Sequence, residues 1–257
     1  MAEAVLASVP FDIARSSALD GVAHGFFGSA GGAHQFGFGG PGDPAQVAEL
    51  RARAADALVA GAAVLTPHQV HSPDVTVATQ PWDDAAEGRP TGDALVTATA
   101  GLAIGIVTAD CAPVLLADRE AGVVGAAHAG WRGAHGGVLE NTVRAMEQCG
   151  AQARRIVAAI GPTIAQPSYE VDAPFRAQFA AGDAPCFAIA PMREGRERWH
   201  FNLPLYVRRR LEQAGVGAID DCALDTHTLD QQYFSYRRAS QRGDSNYGRQ
   251  ISLIALA

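Results

Sequence analysis

Three short segments of the chain carry side chains that could bind a metal ion. TPHQVHS (66–72) contains two histidines, TADCAPVLLAD (108–118) contains Asp110 and Cys111, and AAHAGWRGAHGG (126–137) contains His128. Imidazole nitrogen and thiolate sulfur are ligands that zinc accepts, and three protein ligands leave the fourth position of a tetrahedral ion open for water. The residue types therefore predict a catalytic zinc site.

The spacing of these segments does not by itself bring them together. Intervals of 40 residues from His71 to Cys111 and of 17 residues from Cys111 to His128 match no compact zinc finger. If each segment lies at the end of a strand, neighbouring strands about 4.8 Å apart would let the side chains converge. A metal-free pair of Cys111 and His128, the nucleophile and base of a cysteine hydrolase, is the alternative that these residues leave open.

The elements that would position the segments follow from the pattern of apolar residues. Short apolar runs bounded by Gly, Pro or Asp are typical of strands, and apolar residues at intervals of three or four are typical of helices. Strands are predicted at 74–79, 94–98, 102–108, 113–118, 122–128, 155–160 and 250–256. Helices are predicted at 45–60, 136–150, 172–181 and 203–214, after a Gly- and Pro-rich loop at 28–45. Strands dominate the centre without regular strand–helix alternation, which favours an α+β fold with a central sheet system over a doubly wound nucleotide-binding fold.

The composition excludes several classes of protein. All 20 lysine and arginine residues are arginines, so Schiff-base chemistry, pyridoxal phosphate anchoring, Ser-Lys dyads and the P-loop are excluded. A net charge of −7 disfavours a nucleic-acid binder. We find no apolar run of the roughly 18–20 residues that span a bilayer, and Met1–Asp20 lacks the basic start of a signal peptide. We therefore expect a cytoplasmic protein whose four cysteines are free thiols or ligands.

Two polar features near the predicted ligands each allow two interpretations. Because lysine is absent, any bound anion must be held by arginine, backbone N–H groups or metal. The glycine-rich stretch with Arg132 and Gly133 is either an anion site before a helix or a tight turn whose arginine pairs with a surface carboxylate. Asp110 either orients a metal ligand or a bound water, or caps a turn.

Six motifs resemble the YfiH/laccase-domain family (DUF152, FAMIN-like), from about Gly21 to Leu256. They are QVHS, TADCAPVLL, AAHAGWRG, AIGPTI, YEVD and YFSYRR. The resemblance implies a single domain over residues 1–257, an α/β/β/α layered sandwich like that of bacterial toxin deamidases of the cytotoxic-necrotizing-factor type. It also implies that His71, Cys111 and His128 are the metal ligands. His68 would then lie at the rim of the pocket or behind the ligands.

The resemblance implies a zinc-dependent purine nucleoside enzyme. The expected reactions are phosphorolysis of adenosine, inosine, guanosine and methylthioadenosine at C1′, and deamination of adenosine by zinc-activated water. The expected partners are purine nucleosides and phosphate, with no nucleic acid, membrane or obligate protein partner. The candidate catalytic residues are Cys111, His128, His71 and Asp110. The candidate substrate- or phosphate-binding residues are Arg51, Arg132, Gly133, His68, Tyr236 and Arg237.

Other functions compete with this one. Some bacterial relatives are linked to peptidoglycan-precursor editing, so a hydrolase or amidase that uses zinc or the Cys111–His128 pair is the main alternative. A copper phenol oxidase is the function that the laccase name suggests, and copper is an expected substitute for zinc in vitro. The chain lacks the many further histidine ligands and the His-Cys-His relay of a multicopper oxidase. A non-enzymatic binding module is the remaining alternative.

The chain departs from the family pattern in two places. Gly28 and Ser29 stand where relatives often carry Thr-Arg, so a role of that arginine in binding is unsupported here. The connection at 239–250 is longer than the short form that ends in TGR, which is expected to displace Arg249.

Overall fold

The computed structural model describes residues 9–257, so the prediction drawn from Met1–Asp20 lies partly outside the described residues. Its strands are β1 (Ile13–Ala14), β2 (Ala23–Phe27), β3 (Ala63–Leu65), β4 (Val75–Val77), β5 (Ala94–Thr97), β6 (Leu102–Thr108), β7 (Ala112–Asp118), β8 (Val123–Ala129), β9 (Val157–Ile160), β10 (Glu170–Asp172), β11 (Phe187–Arg193), β12 (Arg196–Phe201), β13 (Ala218–Asp221) and β14 (Gln250–Ala255). Its α-helices are α1 (Pro44–Asp56), α2 (Trp131–Gly136), α3 (Val138–Gln148), α4 (Ala173–Arg176), α5 (Leu203–Gln213) and α6 (Tyr236–Arg242).

Two large sheets stack face to face in the centre of the molecule. One has the order β13-β9-β7-β8-β5-β4 and the other β1-β2-β14-β6-β3. Side chains alternate across a strand, so Leu115 of β7 lies in the core between the sheets, whereas Val114 and Leu116 lie in the core on the helical side. Because β7 is buried on both faces, its sequence is a nearly continuous apolar run and does not alternate between apolar and polar residues.

Helices cover the outer face of each sheet. Helix α1 packs through Leu50 and Ala54 on the five-stranded sheet, while α3 and α5 pack on the six-stranded sheet. Helix α1 begins where the Asp43 side chain accepts a hydrogen bond from the Ala45 N–H, with Pro44 at the first helical position. The α/β/β/α arrangement of an α+β fold is therefore confirmed.

A smaller sheet, β10-β12-β11, lies outside the predicted elements. Its hairpin turns at Glu194 and Gly195, both with positive φ, as a two-residue turn between twisted strands requires. Most side chains of β11 are exposed and Pro191 interrupts the pattern, so the sequence carries no clear alternation there. This sheet was not predicted.

The predicted helix at 172–181 is wrong beyond its first turn. Helix α4 spans only Ala173–Arg176, and hydrogen bonds from Gln178 and Phe179 then run back three residues. The Phe175 and Phe179 rings both pack on Phe187 and Phe201 of the small sheet. Tertiary packing therefore decides the local structure. Of the helices within residues 9–257, none is long and apolar enough to cross a membrane.

Candidate metal centre

The ends of two neighbouring strands bring Cys111 and His128 to one edge of the six-stranded sheet. Strands β7 and β8 are antiparallel, and Pro113 pairs with His128. Cys111 immediately precedes β7, so its thiol lies beside the end of β8. His71 arrives from a separate loop before β4 and has a φ of +61°, a conformation that non-glycine residues rarely adopt. Cys111 and His128 therefore converge at the ends of neighbouring strands, as predicted.

The possible ligand atoms of His71, Cys111 and His128 all lie within 4.8 Å of one another. The Cys111 Sγ is 3.8 Å from His71 Nε2, and the two imidazole rings meet edge to face with centroids 4.8 Å apart. Across residues 9–257 this is the one cluster of three or more histidine, cysteine or acidic side chains with metal-site spacing. We call these three residues the trio.

Asp93, which the sequence analysis missed, holds the trio in place. Its buried carboxylate accepts hydrogen bonds from the backbone N–H groups of Val70, His71 and Ser72, at 3.1, 3.0 and 2.6 Å. The same carboxylate accepts from the His128 Nδ1–H at 2.7 Å. One side chain therefore fixes both the loop that carries His71 and the ring of His128. A signal was present in the sequence, because Asp93 immediately precedes a predicted strand.

The electrostatics of the trio follow from its close packing. Burial alone would lower the pKa of His128, but the Cys111 thiolate and the Asp93 carboxylate raise it to about 9. Burial would raise the pKa of the Cys111 thiol, but His128 and His71 lower it to about 6. Burial would likewise raise the pKa of Asp93, and its bonds to His128 and to the loop amides bring it to about 2. Without a metal ion, these shifts favour a Cys111 thiolate beside a protonated His128 at neutral pH.

The residues fit a metal ion in three respects. The hydrogen bond to Asp93 uses Nδ1 of His128 and leaves Nε2 facing Cys111, as in histidines that bind zinc. Two imidazoles and a thiolate are donors suited to zinc or copper and not to magnesium or calcium. A Cβ at Gly130 would lie only 2.8 Å from Cys111 Sγ and 3.0 Å from His71 Cδ2, so the glycine keeps the space beside the ligands open.

Asp110 takes the second of its two predicted roles. Its carboxylate accepts from the hydroxyl groups of Thr226 and Ser235 at 2.6 and 3.0 Å, and from the Arg237 N–H at 2.6 Å. Its φ is +88°, and its carbonyl accepts from Thr163 Oγ1 and Ile164 N. Asp110 therefore caps and anchors the C-terminal segment, while Asp93 orients the histidine.

Two cavities meet at the trio. The arginine cavity, of about 470 Å³, is lined by Phe38, Arg89, Thr108 and Arg249 among others. The aromatic cavity, of about 390 Å³, is lined by Trp131, Tyr169, Tyr236 and others. Both cavities share His71, Ala109, Cys111 and Tyr247 as a common wall. A third cavity, of about 320 Å³ between residues 32–35 and α1, has no histidine or cysteine in its lining.

Three of the predicted binding residues, Arg132, Tyr236 and Arg237, line the aromatic cavity. Arg132 lies over the Trp131 ring at 4.6 Å, and the Arg237 guanidinium lies over Tyr169 at 5.3 Å. Burial raises the pKa of Tyr169 well above its usual range, so its phenol stays protonated. Arg132, Tyr236 and Arg237 therefore line the same cavity as His71 and Cys111.

The prediction for Arg51 is not supported by its surroundings. Arg51 is fully buried, and its guanidinium donates to the Phe36 carbonyl, the Thr66 hydroxyl and the Asp84 carboxylate. The ion pair with Asp84, at 2.8 Å, already neutralises its charge. Arg51 therefore supports the cavity wall instead of offering a free cation to phosphate.

The predicted glycine-rich anion turn is itself helical. Residues 131–136 form α2, and Gly137, with a φ of +99°, joins α2 to α3. Gly133 is buried below the trio, where a Cβ would lie 3.3 Å from the His128 carbonyl oxygen. Gly133 therefore serves close packing and lines neither cavity. His68 lies exposed on the lining of the arginine cavity, at its rim.

The two departures from the family pattern also have structural outcomes. A Cβ at Gly28 would lie 2.7 Å from the Gln232 carbonyl oxygen, and the Ser29 N–H donates to that oxygen at 2.6 Å. The segment at 28–29 therefore packs on the C-terminal part of the chain. The longer connection does not remove Arg249 from the site, because Arg249 lines the arginine cavity beside Tyr247.

Comparison with known proteins confirms the resemblance. The family model described as "Multi-copper polyphenol oxidoreductase laccase" matches residues 17–257. A Deinococcus radiodurans protein named purine nucleoside phosphorylase is 44% identical over 205 residues, 78% of this chain and 76% of that protein. The structure of a Neisseria meningitidis DUF152 protein superposes with a TM-score of 0.80 at 31% identity, covering 96% of this chain and 98% of that one. Bacillus licheniformis YfiH superposes with a TM-score of 0.79 at 26% identity, covering 92% and 93%. Fold, trio and similarity agree, and the chain belongs to the laccase-like YfiH/DUF152 family.

Proposed function

We propose that this protein is a zinc-dependent purine nucleoside phosphorylase that also deaminates adenosine. The observation that carries the proposal is the trio, placed by Asp93 at the junction of a cationic and an aromatic cavity. The name of the Deinococcus radiodurans relative supports the phosphorolytic part. Two imidazoles and one thiolate can hold zinc with one coordination position left open.

The side chains of this protein have separate tasks in that reaction. Asp93 holds His71 and His128 at fixed positions, so that no reorganisation is needed when substrate arrives. Tyr169, Trp131 and Tyr236 offer rings on which a purine base can stack, an interaction that is tolerant of the base. Adenosine, inosine and guanosine share that ring system, which accords with a broad purine specificity.

The metal would supply Lewis acidity and an acidified water, which deamination at C6 of adenosine requires. For phosphorolysis, the protein itself must hold phosphate beside the ribose and tolerate positive charge on the sugar in the transition state. Cys111, a proposed metal ligand, lies on the wall common to both cavities.

One observation favours a second candidate function. A thiolate at Cys111, with a pKa of about 6, faces a protonated His128, with a pKa of about 9. Such a pair is the activated nucleophile and acid of a cysteine hydrolase or amidase, the type of enzyme that would edit peptidoglycan precursors. Under this alternative the pair acts without metal.

Metal analysis combined with chromatography of nucleosides tests the proposal. The purified protein is expected to contain close to one zinc ion per chain and to release hypoxanthine from inosine only when phosphate is present. Adenosine is expected to give adenine with phosphate and inosine with ammonia without it. Chelation should abolish both activities, and added zinc should restore them.

Two outcomes would count against the proposal. A metal-loaded protein that releases no base at saturating phosphate contradicts the phosphorylase function. Full activity of the chelated protein on an amide substrate, lost on alkylation of Cys111, would favour the cysteine hydrolase instead.

A further inference from the structure

Three residues that line the arginine cavity each contain a buried polar atom without a partner. Thr108 Oγ1, Arg89 Nε and Arg249 Nη1 are buried and accept or donate no hydrogen bond within residues 9–257. Nearly all buried polar groups in folded proteins are paired, so an exception in a cavity points to a missing ligand. Three residues with such atoms line one cavity next to the trio, and this is the strongest indication of a binding site outside the trio itself.

The two arginines are held in fixed positions by other groups. The Arg249 side chain packs closely on Gly37, where an added Cβ would lie 2.7 Å from Arg249 Cδ. The Arg249 guanidinium lies over the Tyr247 ring, 4.6 Å from its centroid. The Arg89 guanidinium lies over Phe38 at 4.9 Å and donates through Nη1 to Thr66 and Pro67. The two guanidinium groups are therefore preorganised, which reduces the entropic cost of binding.

The charge of the cavity is suited to an anion. Neither Arg89 nor Arg249 forms an ion pair with any residue from 9 to 257, in contrast to Arg51 below them. Glu87 also borders the cavity, but its side chain is exposed, so solvent screens its charge. Two guanidinium groups and one hydroxyl are donors for the oxygens of a tetrahedral dianion.

We propose that Arg89, Thr108 and Arg249 form the binding site for inorganic phosphate, with the nucleoside base in the aromatic cavity on the other side of the trio. This assignment rests on the proposed phosphorylase function. It replaces Arg51 and the glycine-rich helix α2 as the phosphate site. The ribose would then lie against the common wall of His71, Cys111 and Tyr247, which both cavities share.

The reaction balances without any further reagent. An oxygen of hydrogen phosphate forms the bond to C1′ while the bond between C1′ and N9 breaks. The bonding pair leaves on N9, which receives the proton of hydrogen phosphate. The products are the free purine base and ribose 1-phosphate, and no group is oxidised or reduced.

Substitution of Arg249 tests the site. Arg249→Gln removes the charge and is expected to raise KM for phosphate at least about 10-fold, the loss expected for a charge-assisted contact, while KM for inosine changes less than about 2-fold. Arg249→Lys, which keeps the charge, should recover part of the loss. Arg144→Gln on the exposed side of α3 is the matched control and should leave both constants unchanged.

Thr108→Val is the second variant, and it separates binding from folding. The hydroxyl has no protein partner, so its removal should not lower the melting temperature, yet phosphate binding should weaken about 3- to 10-fold. Binding of inorganic phosphate is measured by ³¹P NMR titration of the metal-containing protein, with equal zinc content verified in each variant. This readout does not depend on catalysis.

The outcomes distinguish the two proposals. Phosphorolysis in the wild type with an unchanged KM for phosphate in Arg249→Gln and Thr108→Val would overturn the phosphate site and leave the proposed function standing. Phosphate binding that needs Arg249 and Thr108, without phosphorolysis, would support the anion site and contradict the phosphorylase function. Equal phosphate binding by all variants would overturn the site regardless of activity.

Discussion

Two regions flank Cys111, and in each of them a single carboxylate accepts the hydrogen bonds that hold the region together. The two regions differ in which groups that carboxylate contacts. The metal corner, residues 70–72 with Asp93, Cys111 and His128, is fixed by four hydrogen bonds to Asp93. The C-terminal wall, residues 226–238, is fixed by three hydrogen bonds to Asp110. The Asp93 carboxylate contacts His128, a proposed metal ligand, whereas the Asp110 carboxylate contacts the segment that carries Tyr236 and Arg237. We therefore expect changes at the two carboxylates to affect metal content and substrate binding separately.

Loss of the thiolate should have the largest effect, because it removes a ligand from the metal corner itself. Cys111→Ser leaves two imidazoles and a hydroxyl that is a poor zinc ligand at neutral pH. We expect zinc content below about a tenth of an equivalent and a fall in kcat/KM of about 100-fold or more. Elemental analysis and nucleoside assays measure both. Cys149→Ser, at the end of α3, is the control, and equal losses in the two variants would contradict the assignment.

Asp93→Asn should have the next largest effect. The amide NH₂ that replaces one carboxylate oxygen would face donor N–H groups of the 70–72 loop, so buried donors would be left unpaired. Zinc affinity should fall about 10- to 100-fold, and the metal-free protein should lose about 1–3 kcal/mol in free energy of unfolding. Competition with a chromogenic chelator and urea unfolding measure the two losses. Retention of wild-type zinc affinity would show that Asp93 does not orient the ligands.

The acid stability of the metal-free protein provides a sharper comparison. The pKa of Asp93 is lowered from 3.8 to about 2 in the folded protein. Its contribution is therefore fully present above pH 4 and is lost as pH falls from about 4 to 2. The free-energy difference between wild type and Asp93→Asn should shrink by about 2 kcal/mol over that range. Urea unfolding at pH 5, 4, 3 and 2 measures it, and a constant difference would contradict this role.

Asp110→Asn should have the smallest effect and should spare the metal. The amide loses the charge that faces the N-terminus of α6 and one acceptor for the C-terminal wall. We expect unchanged zinc content and a KM for inosine raised about 3- to 10-fold, since Tyr236 and Arg237 would be less firmly placed. Steady-state kinetics at saturating phosphate measure this change. Loss of zinc in Asp110→Asn would remove the distinction between the two regions.

The sequence was sufficient for the parts of the molecule that depend on local pattern and residue type. The central strands, helices α1, α3 and α5, and the convergence of Cys111 with His128 at strand ends all follow from apolar runs and their boundaries. The choice of His71 over His68 required the family resemblance. Asp93 could have been identified from the sequence, because it stands at the start of a predicted strand. Spacing alone, however, does not reveal that this strand pairs with the strand carrying His128.

Other features depend on contacts between distant parts of the chain. Arg249 enters the arginine cavity because it packs on Gly37, more than 200 residues earlier. Arg51 forms an ion pair with Asp84, and no local sequence pattern indicates this pairing. The small β10-β12-β11 sheet is held by a cluster of phenylalanine rings instead of by alternating strand faces. The interpretation of Arg51 as a phosphate ligand could not take account of Asp84, because the tertiary structure sets that pairing.

The bonds that Asp93 makes to the 70–72 loop have a consequence for metal exchange. They run between protein groups only, so we expect His71 and His128 to keep their positions when no ion is bound, and metal binding not to be coupled to folding as it is in a zinc finger. A site of this kind can lose one ion and take up another without unfolding. Its occupant then reflects the supply of metals in the compartment as much as the affinity of the ligands. Growth of the host in media of defined zinc and copper content is therefore part of any assay of what this protein does.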